Sequence, residues 1–226
     1  MIGIIGAMKV ETDGIIALMS EKQCRSAAGC EFTVGNIGTK EVVVATCGIG
    51  KVFASICAQT KILLFSPEKI INVGVAGALS PKLGICDIVI ADKALQHDMD
   101  TSPLGDPRGM ISGINRIYFE SDTSLRDELF SLAAKLGIKA HIGTVASGDV
   151  FVADPKIKMD IQLKFDAIAC EMEGGAIAHT CFVNNVPFCI LRSISDGVAA
   201  DGAMDYSEFC EAAAKQSTRL IKAYIG

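Results

Sequence analysis

Short apolar runs of strand length alternate with segments of helical periodicity along almost the whole chain. Residues 2–5 form such a run, and residues 9–19 then place apolar side chains at helical intervals; the same order recurs at 167–170 with 175–183. Because strands that are apolar on both faces must be covered on both sides, this alternation implies a central sheet with helices against each face. We therefore predict an α/β fold, a three-layer α/β/α sandwich around a mixed, twisted sheet.

The other predicted elements follow from the same patterns. Further strands are predicted at residues 31–34, 41–46, 69–75, 87–91, 117–119, 141–146 and 187–194. Further helices are predicted at residues 51–65, between Asp122 and Gly137, at 155–163 and at 206–224. The Gly- and Asn-containing stretch 35–40 predicts an antiparallel hairpin, and the Asp-, Pro- and Gly-rich stretch 97–113 predicts a surface loop.

The composition limits the classes of protein to which this fold can belong. Of the 226 residues, 50% are hydrophobic and 21% are charged, which provides for a core and excludes a disordered chain. Neither a repeat nor a linker divides the sequence, so we expect one domain over residues 1–226. The 21 basic and 26 acidic residues are dispersed and give a net charge of −5, so neither nucleic acid nor an anionic membrane is an expected partner.

Cysteine and histidine usage argues against disulfides and metal. The nine cysteines are an odd number, never form C-x-x-C and mostly lie in apolar runs, as small core residues of a reducing compartment do. The first residues lack the basic region and cleavage site of a signal peptide, and no apolar stretch approaches the ~18 residues of a membrane span. His97, His141 and His179 have no partner at metal-ligand spacing. We expect a cytoplasmic protein that uses no metal and no other cofactor.

Four carboxylates follow predicted strands, where ligands of open α/β sheets bind. They are Glu11, Glu171, Glu173 and Asp196. Each also has an ordinary explanation: Glu171 and Glu173 as caps of the next helix, Asp196 as a turn residue and Glu11 as a solvent-facing helical residue. Arg192 also has an ordinary explanation, because it can be a structural partner for one of these acids. The spacing of these residues alone therefore leaves their function open.

The glycine clusters at strand ends do not predict a nucleotide cofactor. Neither Gly48-Ile49-Gly50 nor the stretch 74–77 completes G-x-G-x-x-G. The pair Gly50-Lys51 lacks the upstream glycine and the Ser or Thr of a P-loop. A dinucleotide or nucleoside triphosphate site is therefore not expected.

Taken together, several ordered segments carry a family resemblance. They are Gly3-Ile4-Ile5-Gly6-Ala7-Met8 with Glu11, Gly48-Ile49-Gly50-Lys51-Val52, Gly74-Val75-Ala76-Gly77, His97-Asp98-Met99-Asp100, Ser147-Gly148-Asp149, Glu171-Met172-Glu173 and Arg192-Ser193-Ile194-Ser195-Asp196. They span essentially the whole chain. In them the sequence resembles the 5′-methylthioadenosine/S-adenosylhomocysteine nucleosidase family, within the nucleoside phosphorylase group.

The resemblance implies hydrolysis of the N-ribosidic bond of methylthioadenosine and S-adenosylhomocysteine, and also of 5′-deoxyadenosine, in a nucleoside phosphorylase-like fold. It implies that Asp196 is the general acid that protonates the purine at N7 and that Glu11 activates water. Glu173 would bind the ribose hydroxyls and stabilise an oxocarbenium-like transition state. The implied substrate-binding residues are Met8, Ile49, Gly77, Phe151, Val152, Glu171, Met172, Glu173, Arg192, Ser195 and Tyr206. Family members are homodimers, which implies that Leu104 closes the pocket of the partner subunit.

The chain departs from the family pattern at three positions that concern the 5′ pocket. Val75, Leu104 and Tyr206 replace residues that are usual in the family.

Three other functions stay open. A purine nucleoside phosphorylase would need arginines around its phosphate, an anion that Glu11 would repel. A nucleosidase acting mainly on 6-amino-6-deoxyfutalosine is a second alternative. A non-catalytic nucleoside-binding protein is the third, and it would have no need for both Glu11 and Asp196.

Overall fold

A computed structural model of the chain describes residues 1–198 and 202–226. In these residues ten strands form one mixed sheet with helices packed against it, which confirms the predicted α/β fold. The strands are β1 (Ile2–Gly6), β2 (Ser20–Ala27), β3 (Cys30–Ile37), β4 (Lys40–Thr46), β5 (Lys69–Ala78), β6 (Ile88–Gln96), β7 (Phe119–Glu120), β8 (Ala140–Ser147), β9 (Ala167–Glu171) and β10 (Phe188–Asp196). The helices are α1 (Lys9–Ala17), α2 (Lys51–Phe65), α3 (Thr123–Lys135), α4 (Pro155–Phe165), α5 (Gly174–Val183) and α6 (Gly202–Ile225).

Strand β5 joins two parts of the sheet. Its first half lies between β1 and β10 and is parallel to both, and β1 continues outward through β4, β3 and β2. Beyond the end of β1, β5 stays paired with β10 as far as Gly77 and pairs on its other edge with β9, through Gly77 and Ala78. Since β10 also pairs with β6, β6 with β8 and β8 with β9, these five strands form a closed ring. The ring brings the carboxyl ends of β5, β9 and β10 close together.

Alternate residues of the central strands feed two apolar cores. Ile5 packs in one core with Cys57 of α2 and Ile177 of α5. Its neighbour Ile4 packs in the other core, which includes Leu220 of α6 and side chains of α1 and α3. The strands are therefore buried on both faces, which explains why they are continuous apolar runs in the sequence.

Strand β2 has no counterpart in the sequence prediction. It forms the outer edge of the sheet, beside β3, and is exposed along nearly its whole length. Its residues, Ser20–Ala27, are mostly polar, so no apolar alternation marks it. The predicted antiparallel hairpin, by contrast, is confirmed as β3 and β4.

Strands β5 and β10 run further than the apolar pattern predicts, and the extra residues belong to the candidate site. The pairing of β10 with β5 ends at Asp196 opposite Gly77, after a register shift between Ile194 and Asp196. An irregularity of this kind turns the local side chains out of the regular alternation. Ser195 and Asp196 are thereby fixed at the strand end.

The structure bears on the expected state of the cysteines and on the expected lack of a membrane span. The nine cysteines all fall within the described ranges and are free thiols. Six of them are buried: Cys30, Cys47, Cys57, Cys170, Cys181 and Cys189. In residues 1–198 and 202–226, none of the helices has the length and apolar character needed to cross a membrane.

Candidate active site

A cavity of about 280 Å³ lies where β1, β5, β9 and β10 end. Most of the predicted site residues line it, although they are spread over the whole sequence. The lining residues are Ala7, Met8, Glu11, Ile49, Val75, Ala76, Gly77, Val150, Phe151, Val152, Cys170, Glu171, Met172, Glu173, Ser195, Asp196 and Tyr206. Two predicted site residues, Arg192 and Leu104, are not among them.

Glu11 is buried at the first turn of α1 and folds back over the start of that helix. Its Oε2 accepts hydrogen bonds from the backbone N–H groups of Ala7 (2.7 Å) and Met8 (2.9 Å), and Oε1 accepts one from Val75 (3.0 Å). Burial raises the pKa of Glu11, while the charge of Arg192 and these backbone donors act in the opposite direction. The carboxylate is thus held in one orientation with raised proton affinity, and one lone-pair position on Oε1 stays open to a further donor. These are the properties of a general base.

Glu171 is the last residue of β9, and its carboxylate is bound by other groups of the protein. Its Oε2 accepts hydrogen bonds from the N–H groups of Glu173 (3.0 Å) and Gly174 (2.7 Å) at the start of α5. Ser147 donates to Oε1, and the guanidinium of Arg192 binds Oε2. The side chain therefore caps α5 and neutralises Arg192, the ordinary role considered for it above.

Arg192 lies behind the cavity wall and is fully buried. Besides Glu171, it donates to the side-chain oxygen of Asn72 and to the carbonyl of Val73 (3.3 Å). It also lies 3.9 Å from Glu173. Arg192 is therefore the cation that binds the acidic wall from behind, as the structural role considered for it implies. The substrate contact that the family resemblance implied for it stays a prediction.

Glu173 lies at the start of α5 with its carboxylate in the cavity wall. Its Oε1 accepts a hydrogen bond from the N–H of Gly50 (2.9 Å). Burial and the charge of Glu171 raise the pKa of Glu173 to about 7, against the opposing effect of Arg192. This carboxylate can therefore change its charge near neutral pH when a ligand adds or removes a hydrogen-bond donor.

The loop that presents Gly50 is fixed by two aspartates. Asp149 accepts a hydrogen bond from the N–H of Lys51 (2.7 Å), and Asp98 accepts one from the N–H of Asp149 (2.9 Å). Asp98 also pairs with the ammonium of Lys51 at 2.7 Å. Three motifs that are far apart in sequence are thereby connected beside the cavity, which accounts for residues that had no assigned role.

Asp196 is buried at the end of β10, close to Gly77 and Ser195. A Cβ at position 77 would lie 2.7 Å from Oδ2 of Asp196, so glycine is required there by close approach. The hydroxyl of Ser195 donates to Oδ1 at 3.1 Å. On its other side the ammonium of Lys158 lies 2.9 Å from Oδ2.

Lys158 is a fully buried cation beside the predicted general acid, and it was not predicted as a site residue from the sequence. The buried residues of α4 are Lys158, Ile161 and Phe165, which lie at i, i+3 and i+7. This spacing is the signal that was available in the sequence, because it assigns Lys158 to the apolar face of the helix. The same helix carries other lysines that are exposed, so charge alone did not distinguish it.

Aromatic and apolar side chains form the outer part of the cavity. The ring of Phe151 meets that of Tyr206 edge to face, with centroids 5.5 Å apart, and the Tyr206 hydroxyl contacts the sulfur of Met8 at 3.1 Å. Ile49 is 55% exposed at the mouth. Leu104 lies apart from this chain's cavity, in a short 3₁₀ turn (Ser102–Leu104), and is 84% exposed. Its predicted contact with a partner subunit stays a prediction.

The arrangement is suited to acid and base chemistry on a neutral ligand. One carboxylate, Glu11, is held by backbone donors, and a second, Asp196, faces a buried ammonium. Within the described ranges, no cluster of three or more His, Cys, Asp or Glu side chains has the geometry of a metal site.

Comparison with known proteins agrees with the sequence resemblance. A family model described as phosphorylase superfamily matches residues 1–226. The 5′-methylthioadenosine/S-adenosylhomocysteine nucleosidase of Halalkalibacterium halodurans is 38% identical over 226 residues, covering 100% of this chain and 97% of that protein. The Helicobacter pylori nucleosidase of the same name, in complex with butyl-thio-DADMe-Immucillin-A, matches with a TM-score of 0.94 and 36% identity over 98% of this chain and 96% of that one. The futalosine hydrolase of Helicobacter pylori matches with a TM-score of 0.94 and 35% identity over 98% of this chain and 95% of that one.

Proposed function

Because this chain belongs to the 5′-methylthioadenosine/S-adenosylhomocysteine nucleosidase family of the phosphorylase superfamily, we propose that it hydrolyses the N-ribosidic bond of methylthioadenosine and S-adenosylhomocysteine. The products are adenine and the 5-thio-substituted ribose. The same chemistry releases adenine from 5′-deoxyadenosine. The reaction uses the side chains of the cavity and no metal or cofactor.

The charge of the cavity wall is the observation that carries this proposal. Four carboxylates line the cavity, and among the described lining residues there is neither a lysine nor an arginine. A phosphorylase holds its anionic nucleophile with cationic groups, whereas water is neutral and needs a base. The wall therefore favours hydrolysis over phosphorolysis.

In the proposed reaction the purine gains one proton and the attacking water loses one. Asp196 donates its proton to N7 of the purine as the bond between N9 and C1′ breaks, so that the electron pair of this bond leaves on a neutral adenine. The oxygen of water forms the new bond to C1′, and Glu11 takes the proton that the water loses. Glu173 accepts hydrogen bonds from the ribose hydroxyls and stabilises the positive charge that develops on the ribose.

The remaining lining residues hold the substrate in this scheme. Phe151 stacks on the purine, main-chain groups of Val152 bind the edge of the base, and Met172 packs against the sugar. The 5′ substituent lies between Met8, Ile49 and Tyr206. Gly77 and Ser195 keep Asp196 in place, and Glu171 with Arg192 fixes Glu173.

An apolar stripe at the mouth of the cavity supports a homodimer. The side chains of Ile49, Val52, Phe53 and Ile56 are between 40% and 68% exposed. Val52, Phe53 and Ile56 lie in the first two turns of α2, and Ile49 lies two residues before this helix begins at Lys51. We call these four residues the α2 stripe. In the proposed dimer the stripe is covered by a second copy of the chain, and the partner subunit's Leu104 closes the 5′ end of the pocket. The dimer acts in the cytoplasm, each copy forming one domain.

Adenine release from methylthioadenosine, measured with and without phosphate, tests the proposed function. We expect the same rate under both conditions and 5-methylthioribose as the second product. Turnover that requires phosphate and yields a ribose 1-phosphate would instead identify a phosphorylase. Tight binding without any turnover would identify a non-catalytic nucleoside-binding protein.

The match to the futalosine hydrolase supports a second substrate, 6-amino-6-deoxyfutalosine. This nucleoside shares adenine and ribose with methylthioadenosine and differs in its 5′ group, which is bound at the exposed end of the pocket beside Ile49. The ratio of kcat/KM for the two nucleosides decides which of them is the main substrate.

A further inference from the structure

The contact between Lys158 and Asp196 is unusual because it joins two oppositely charged side chains that are both buried. The side chain of Lys158 is 0% exposed and that of Asp196 is 3% exposed. The ammonium donates to Oδ2 of Asp196 at 2.9 Å and to the carbonyl of Gly197 at 2.5 Å. A buried ammonium is costly unless it is paired, so the position of Lys158 depends on the carboxylate.

The pair raises a difficulty for an acid that must donate a proton. An adjacent cation favours the ionised form of a carboxylic acid. As an ion pair the two groups together carry no net charge, whereas an added proton on Asp196 beside the ammonium would leave an uncompensated positive charge at a buried position. A proton that the pair delivers to a ligand can therefore come from the ammonium.

We propose that Lys158 is a positioning residue that stores the proton that Asp196 delivers to the purine, an inference that rests on the proposed function. The ammonium of Lys158 first passes a proton to Oδ2 of Asp196, and the carboxylic acid formed in this way gives that proton to N7 of the purine. Lys158 ends as a neutral amine, Asp196 as a carboxylate, and the purine carries the added proton. The pair regains its proton from water after the products leave.

Other ionisable groups close to the pair do not replace this store. The thiol of Cys170, on β9, is near both charges, but burial raises its pKa to about 12 and it stays neutral. The neighbouring carboxylate of Glu171 is neutralised by Arg192. Among the described residues around the pair, Lys158 is the cation in hydrogen-bond contact with Asp196.

The pair predicts a specific change in the pH dependence of turnover. Without the ammonium of Lys158, Asp196 has to take its proton from solvent, where protons become scarcer as the pH rises. The basic limb of the kcat/KM profile for methylthioadenosine is therefore expected to move down by at least about one pH unit in Lys158→Met, a loss of about tenfold at pH 9. Lys158→Arg keeps a cation that does not release its proton, so it is expected to lower turnover of methylthioadenosine at every pH.

A substrate whose leaving group needs no proton separates this role from a structural one. We would use the 4-nitrophenyl glycoside of 5-methylthioribose, since nitrophenolate leaves as an anion. Lys158→Met and Lys158→Arg should both cleave this glycoside at a rate within about twofold of the wild type. The control is Lys156→Met, at an exposed lysine of the same helix, which should match the wild type on both substrates. Equal losses on both substrates, or an unshifted basic limb in Lys158→Met, would overturn the proposal.

Failure of the wild type to turn over methylthioadenosine would refute the proposed function. A binding measurement still tests the role of Lys158 in that case. Calorimetry of adenine binding at pH 8.5, in buffers of different ionisation enthalpy, counts the protons taken up. The wild type should take up close to none, because Lys158 supplies the proton, whereas Lys158→Met should take up close to one. Equal uptake in the two proteins contradicts a stored proton.

Discussion

The guanidinium of Arg192 occupies the space that a side chain at position 74 would need. A Cβ built on Gly74 would lie 1.8 Å from Nη1 of Arg192 and 2.7 Å from Oε1 of Glu11. Glycine is thus required at this point of β5 because two site residues approach its bare backbone. The arginine can reach Glu171, and Glu11 can reach the N–H of Val75, because nothing projects from residue 74.

Gly74→Ala should therefore damage both stability and activity. The added methyl group displaces Arg192, so we expect the free energy of unfolding to fall by at least about 2 kcal/mol, as for other overpacked cores. Gly84→Ala is the matched control, because its added Cβ would meet only Asp87, at 3.8 Å. Urea unfolding of both variants checks this prediction, and equal stabilities would contradict it.

Glu11→Gln should abolish most turnover while leaving the ligand site intact. The amide keeps an oxygen for the N–H groups of Ala7 and Met8, but its NH2 group faces the N–H of Val75 and cannot take a proton from water. We expect kcat to fall by about 10²-fold or more, the usual contribution of a general base. Adenine should still bind within about threefold. Asp13→Asn, at an exposed acid in the same helix, controls for the change in charge, and wild-type turnover in Glu11→Gln would refute the role of Glu11 as base.

Asp196→Asn should distinguish between leaving groups. An amide cannot protonate N7, so adenine release from methylthioadenosine is expected to drop by at least about 10²-fold. The 4-nitrophenyl glycoside, which needs no acid, should be cleaved at nearly the wild-type rate. Asp160→Asn, at a surface acid paired with Arg108, is the control. If Asp196→Asn lost both activities equally, its role would be structural.

Local sequence patterns predicted the inner strands and helices well because these elements are buried on their inward faces. Strand β2 was missed because it lies exposed at the sheet edge. The closed ring depends on pairing between β10 and β6 and between β9 and β5, segments far apart in the sequence. Such contacts are set by the packing of the whole chain.

The same distinction applies to the candidate site. The family resemblance predicted residues that the fold does bring to one cavity, including Glu11, Glu173 and Asp196. It could not show that Arg192 binds Glu171 from behind the wall. Lys158 was missed because a charged residue on a helix is normally solvent-exposed, and only its spacing with Ile161 and Phe165 indicates otherwise.

The raised pKa of Glu173 predicts a pH-dependent contribution to stability. An acid whose pKa is raised from 4.5 to about 7 on folding binds its proton more tightly in the folded protein. Its contribution is fully present below pH 4.5 and is lost as the pH rises through 7. Between these values the free energy of unfolding of the wild type should fall, relative to Glu173→Gln, by about 3 kcal/mol. Chemical unfolding at several pH values in this range measures the difference in free energy of unfolding between the wild type and Glu173→Gln. The control Glu41→Gln, at an exposed glutamate, should follow the wild type. A difference between the wild type and Glu173→Gln that does not change with pH would contradict the prediction.

The α2 stripe predicts a link between assembly and catalysis. Phe53→Glu adds a charge to the middle of the stripe, so we expect it to convert the proposed dimer into monomers. Because the monomer lacks the partner subunit's Leu104 at the 5′ end of the pocket, its KM for methylthioadenosine should rise by about tenfold, with a smaller change for adenosine, which has no alkylthio group. Leu63→Glu, at the other end of the same helix and also exposed, is the matched control and should stay dimeric. Sedimentation velocity measures the assembly state of each protein. The proposed interface is refuted if the wild type is monomeric, or if Phe53→Glu stays dimeric with an unchanged KM.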